Sequence, residues 1–217
     1  LQPKPTNADP QALQHARPSR TALPTPAPLD TVPFSTAGTT TLTVNEDRHQ
    51  RKDGDAVRFY QVKEPVGGVS VAALELNTTL NGDITSTATT ITLTDASEFP
   101  TSGYIVIEKI DSTTGAIVSE TIEYTGKSTN DLTGCTRGTA APSYGATPIS
   151  TTADSHSSGA KIYGSYIITI VETSFTNDAN STETYSNSFT CTLVNAATST
   201  ATGGGFFVFG GPVNDRP

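Results

Sequence analysis

The chain has no Met and no Trp, two Cys, three His and 13 Lys and Arg against 21 Asp and Glu. Each shortage closes a class of function. A net charge of −8 excludes a nucleic-acid partner, because phosphate contacts need patches of Lys and Arg. The single basic cluster, Arg48 to Lys52, is interleaved with Glu46, Asp47 and Asp53 and reads as a solvated turn. Two distant cysteines, Cys135 and Cys191, make no disulfide framework, and whether they bridge each other is a matter of geometry. CxxC and HExxH are missing, so no metal signature is present. No apolar run approaches the roughly 20 residues that span a bilayer. His15, His49 and His156 fall one per segment, which offers no nucleophilic triad. The sequence starts at Leu1, which is compatible with a leader removed upstream.

What remains is threonine. It is the commonest residue, and with serine it makes up roughly a quarter of the chain, far above ordinary usage. A β-branched, polar side chain suits a half-exposed pleated surface. Long helix-forming runs are absent, so the composition predicts an all-β protein with many turns.

Residues 1–35 form a separate regime. Pro3, Pro5, Pro10, Pro18, Pro24, Pro26, Pro28 and Pro33 break any ladder, because proline lacks the N–H and fixes φ. The segment reads as an extended arm, with Pro10 to Arg17 able to make a helical turn capped by Asp9. Its apolar positions, Leu13, Leu23, Leu29, Val32 and Phe34, together with Pro3, Pro5, Pro18, Pro24, Pro26 and Pro28, are the candidate contacts with a neighbouring subunit.

Alternation then marks strands at 39–44, 56–62, 69–76, 89–95, 104–110, 116–124, 131–137, 160–175 and 183–196, with a last short strand in Gly205 to Gly210. Residues 138–159 and 197–205 read as loops. The flanks 36–77 and 160–217 are each too small for a closed core, but together they supply the strands of one antiparallel β-sandwich. Residues 78–159 then form a second, small β domain inserted into it.

The run TLNGDITSTATTITLTDASEFPTSGYIVIE, with IEYTGK, LTGCTRG and HSSGA after it, resembles a small β module repeated in tailed-bacteriophage tail, fibre and other virion proteins. The matching positions are Leu80 to Asp95, Phe99 to Gly103, Ile122 to Lys127, Leu132 to Gly138 and His156 to Ala160. KIDSTTGAIVS is longer than the family's hairpin. The resemblance implies a structural subunit of a virion or extracellular fibre, with Cys135 a structural thiol and His156 a turn residue.

The expected function is therefore non-enzymatic. The chain assembles with itself, or with other virion proteins, into an extracellular filament or virion component, without cofactor or membrane span. The arm docks on a neighbour and can donate a strand to it. The alternative is a receptor- or glycan-binding module. With no Trp, sugar stacking there falls to Tyr104, Tyr144 or Tyr163. Glu108 with Glu120, and Glu172 with Glu183, have the look of carboxylates facing across hairpins but read as surface charge. Asp53, Asp55, Asn177, Asp178 and Asn180 lack the spacing of a calcium loop. Asn77 and Asn180 begin glycosylation sequons.

Overall fold

The computed structural model describes residues 33–46, 49, 51–142, 150–176, 179–205 and 207–210. The contact residues assigned to the arm between Pro3 and Val32 lie outside these, as do Tyr144, Asn177 and Asp178. Among the described residues, thirteen strands and one short helix follow in order. They are β1 (Phe34–Ala37), β2 (Thr41–Asn45), β3 (Ala56–Tyr60), α1 (Val71–Glu75), β4 (Asn77–Thr79), β5 (Thr90–Thr92) and β6 (Gly103–Ile110). Then come β7 (Ile117–Tyr124), β8 (Gly126–Ser128), β9 (Asp131–Thr133), β10 (Lys161–Thr176), β11 (Thr182–Thr192), β12 (Thr200–Gly203) and β13 (Phe207–Gly210). All ladders are antiparallel. The protein is an all-β sandwich.

The strand order is β12-β1-β2-β11-β10-β3-β13, and β10 also pairs with β4 and β6. This 16-residue strand changes partner along its length. Lys161 to Ser165 lie against β4 and β6, Tyr166 and Ile167 against β3, and Ile168 to Thr176 against β11. A three-stranded sheet, β5-β9-β8, completes the 78–159 region. That region leaves the flanks through β4 and returns into β10, where Thr79 faces Lys161, so its two ends are neighbours.

Alternation builds the core. In β2, Leu42 and Val44 point inward and Thr41, Thr43 and Asn45 outward. Phe34 of β1 meets Phe59 of β3 edge to face at 5.0 Å, and Phe59 packs on Tyr166 at 5.2 Å. The buried cluster continues through Leu76 and Leu80 to Ile91, Phe99, Ile105 and Ile122.

Several expectations are corrected. Residues 69–76 are not a strand. Ser70 caps a five-residue helix by accepting the Ala73 N–H, and Leu76 ends it in the left-handed region at φ 47°. Residues 197–205 are not all loop, because Thr200 to Gly203 pair with β1. The strand at 131–137 stops at Thr133, where Gly134 turns at φ +61°. Phe34 does not belong to the arm. It is fully buried and paired with Gly203 and Val44.

At the junction in β10, Gly164 makes room for the helix end. A Cβ there would stand 2.9 Å from Leu76 Cβ and 3.1 Å from Phe99 Cε1. Gly164→Ala is expected to cost about 1–3 kcal/mol by overpacking, read as a lower urea midpoint with an unchanged slope.

Candidate functional site

Among the described residues the densest polar cluster gathers on Glu120. The order Glu120, Ile122, Tyr124 puts this carboxylate on the inward face of β7 with two buried apolar neighbours. It is 2% exposed and cannot stay ionised there without partners. Arg137 grips it with two hydrogen bonds, Nε to Oε1 at 2.7 Å and Nη2 to Oε2 at 2.8 Å. His156 Nε2 lies 2.8 Å from Oε2, and the Gly138 and Asp154 N–H groups donate at 3.1 Å each. Burial alone would raise the carboxyl. The His156, Arg137 and Asp154 bonds outweigh it and hold the group at about 2. Arg137 also donates to the carbonyls of Thr85 and Asp154, and Lys109 pairs with the Asp154 carboxylate.

This arrangement ties chain segments together and is poorly suited to moving protons. A carboxylate held at about 2 is neither a useful acid nor a useful base near neutrality. His156 Nδ1 is buried without a hydrogen-bond partner, and among the described residues no hydroxyl or thiol is bonded to the ring. Cys135 is buried, with Sγ bonded to the Leu132 carbonyl. Burial pushes its thiol up to about 11, away from nucleophilic use. Cys191 is also buried and pushed up, and both cysteines are free. No cluster of His, Cys, Asp or Glu able to hold a metal occurs among the described residues. None of their helices is long and apolar enough to cross a membrane.

A second polar group sits under the opposite face of the same sheet. Arg58 is 1% exposed, and its guanidinium lies 4.3 Å from the Tyr60 ring and 4.8 Å from the Tyr163 ring. Glu108 Oε1 approaches it at 3.4 Å. The candidate sugar-stacking residue Tyr163 therefore has a ring face engaged by Arg58. Tyr104, the other described candidate, donates to Glu123 at 3.4 Å and shares a sheet face with Tyr163. Asn77 and Asn180 are both exposed.

The carboxylate pairs are not opposed. Glu108 faces Ser119 and Glu120 faces Ile107, while Glu172 faces Ser186 and Glu183 faces Phe175. Glu120 is a core group and not surface charge.

Sequence reasoning also missed the tip of the β6–β7 hairpin. Ile110 and Ile117 face each other at its end and are 71% and 51% exposed, with Val118 beside them. The turn beneath is fixed by Asp111, whose Oδ1 accepts the N–H groups of Thr113 and Thr114 and the Thr114 hydroxyl. Closer in, the outer edge of β7 is covered, with Thr139 and Thr151 bonded to Thr121 and Thr136 to Glu123. Among the described residues no backbone group bonds this edge at Ile117 and Ser119. The one available signal was the extra length of KIDSTTGAIVS.

Two outcomes follow from the buried groups. Glu120 titrates below its ordinary value, so its contribution is full above about pH 4.5 and drains away as pH falls toward about 2. Glu120→Ala should cost about 3–5 kcal/mol at pH 7, and distinctly less at pH 3, in urea titrations at the two pH values. Cys135 and Cys191 should resist a thiol reagent at pH 8 in the folded protein and react together once it unfolds.

Searched against family models, curated proteins and solved structures, the chain matches none of them.

Proposed function

We propose that the protein is a non-enzymatic structural subunit that assembles with copies of itself into an extracellular filament or virion component. In this reading residues 78–159 form an inserted module of the bacteriophage virion type, and the Pro-rich arm docks on a neighbouring subunit. The observation that carries the reading is where the body begins. Phe34 is the first of the described residues in the buried cluster, and the sandwich closes from there with β1 paired on both edges. Residues 1–32 precede this body in the sequence. Fully extended they reach about 100 Å, against a radius of gyration of about 16 Å for a body of this size. An arm of that reach is long enough to contact a neighbour while still anchored at home.

The hairpin tip supports the same reading. An apolar pair on a hydrogen-bonded turn, beside a stretch of strand edge that no described backbone group bonds, is a liability in a monomer and a contact in an assembly. Strand addition at Ile117 and Ser119 is the mode that this edge offers.

Deletion of residues 1–32 is the test, with Phe34 retained because it is part of the core. The truncated chain should keep the far-ultraviolet spectrum and thermal midpoint of the full chain, and should sediment as a monomer. Assembly of the truncated chain, seen by electron microscopy at the full-length concentration, would refute the role of the arm.

A further inference from the structure

We infer that His49 is an acid-sensitive latch, which fastens the connection between β2 and β3 to β11 while its imidazole is neutral and releases it on protonation. This goes beyond the assembly reading and does not depend on it. His49 belongs to the basic cluster Arg48 to Lys52, which the sequence presents as a solvated turn. Arg51 does not fit that description. Its side chain is 10% exposed and holds Glu46 through two bonds, Nε to Oε2 at 2.9 Å and Nη2 to Oε1 at 3.2 Å. Its guanidinium stands 5.7 Å from the centroid of the buried Phe189 ring on β11. The His49 ring meets the same phenylalanine at 5.4 Å and 83°.

The two ring nitrogens of His49 have opposite duties. Nδ1 accepts the backbone N–H of Arg51 at 2.9 Å, so it carries no proton. Nε2 lies 3.3 Å from the Ser188 carbonyl oxygen, which only accepts, so the proton is on Nε2. The geometry therefore specifies one neutral tautomer. A second proton has to go on Nδ1, where it points at the Arg51 N–H. That bond is then lost, two donors face each other, and a second cation is added against the ring that Arg51 already faces.

The surrounding charges do not cancel this cost. Burial is the largest influence on the ring, and with Arg51 it holds the imidazole below its ordinary value of 6.5. The Ser188 carbonyl and the Glu46 and Asp55 carboxylates act the other way and are outweighed. Among the described residues, β11 presents only the uncharged Ser188 and Phe189 to the ring. A group that titrates lower when latched than when free favours the latched state at neutral pH, and that advantage drains away as pH falls below about 6.5.

Release is local. The Glu46 N–H donates to the Asn187 carbonyl at 3.0 Å, just beyond the last rung of the β2–β11 ladder, Asn45 with Ser188. The latch therefore secures the end of that ladder, and letting go frees the Asn187 carbonyl and uncovers the part of Phe189 that His49 and Arg51 screen. Glu120, held at about 2, stays ionised over the same range, so its cluster does not respond.

The test uses the full chain, with amide hydrogen exchange compared at pH 7.5 and pH 5.5 after correction for the intrinsic rate. Opening at the Glu46 and Arg51 amides should rise by about three- to tenfold at the lower pH, about tenfold being the ceiling when only the open state takes the proton. Amides of the β6–β7 ladder should not change. In His49→Gln, which has nothing to titrate at this position, the pH dependence should vanish whatever the level of protection. The proton NMR titration of the His49 ring, assigned by its absence from that variant, should give a midpoint below the ordinary 6.5. Should glutamine leave the connection open at both pH values, the ring titration of the wild-type chain decides. A ring midpoint at or above the ordinary value, or an equal pH response in the glutamine variant, overturns the proposal. A rise shared by the β6–β7 ladder would mean loosening of the whole fold and overturns it too.

Discussion

β10 is the constraint on which the rest of the structure depends. Its first five residues need β4 and β6, its middle needs β3 and its second half needs β11. A slip of one residue would turn every side chain of the strand to the wrong face at once, in the sandwich and in the 78–159 region alike. Gly164 sits where these demands meet, and its missing side chain lets Leu76 and Phe99 close against the strand. The helix before β4 serves the same junction. Its left-handed end at Leu76 turns the chain into β4, and its Ala73 carbonyl accepts the buried Tyr166 hydroxyl at 2.6 Å.

Two charged side chains, Glu120 and Arg58, are buried, and each is met by several partners. Glu120 collects Arg137, His156 and two backbone N–H groups contributed by distant segments, which fastens the chain around residues 137–138 and 154–156 to a strand they do not extend. Arg58 binds the other face through Tyr60, Tyr163 and Glu108. Such groups are costly to bury singly and are tolerated because each is met by partners of matching geometry.

Much of this was legible in the residues. Strict alternation gave β2, β3, β6, β7 and the long β10, and the same alternation had already put Glu120 in line with Ile122 and Tyr124. The reading of Glu120 as surface charge set residue type above register. α1 was hidden because five residues are too few for a helical period to show, so VAALE passed for a buried strand. β12 was hidden because Thr-Ala-Thr-Gly has no apolar alternation. Its pairing with β1 is decided by the neighbouring strand. The convergence of Arg137 and His156 on Glu120 spans 17 and 36 residues, a distance over which no local pattern speaks.

The seating of Phe34 has a mechanical meaning. β1 is flanked by β12 on one edge and β2 on the other, and the chain enters it at Phe34. A pull on Phe34 along the axis of β1 would therefore load two hydrogen-bonded ladders in parallel, in shear, with a phenylalanine plug behind them. Bonds loaded in shear share force and fail together, whereas bonds that are peeled fail one by one. The first strand is thus built as an anchor that resists pulling along its own direction, and the sandwich around it acts as the socket.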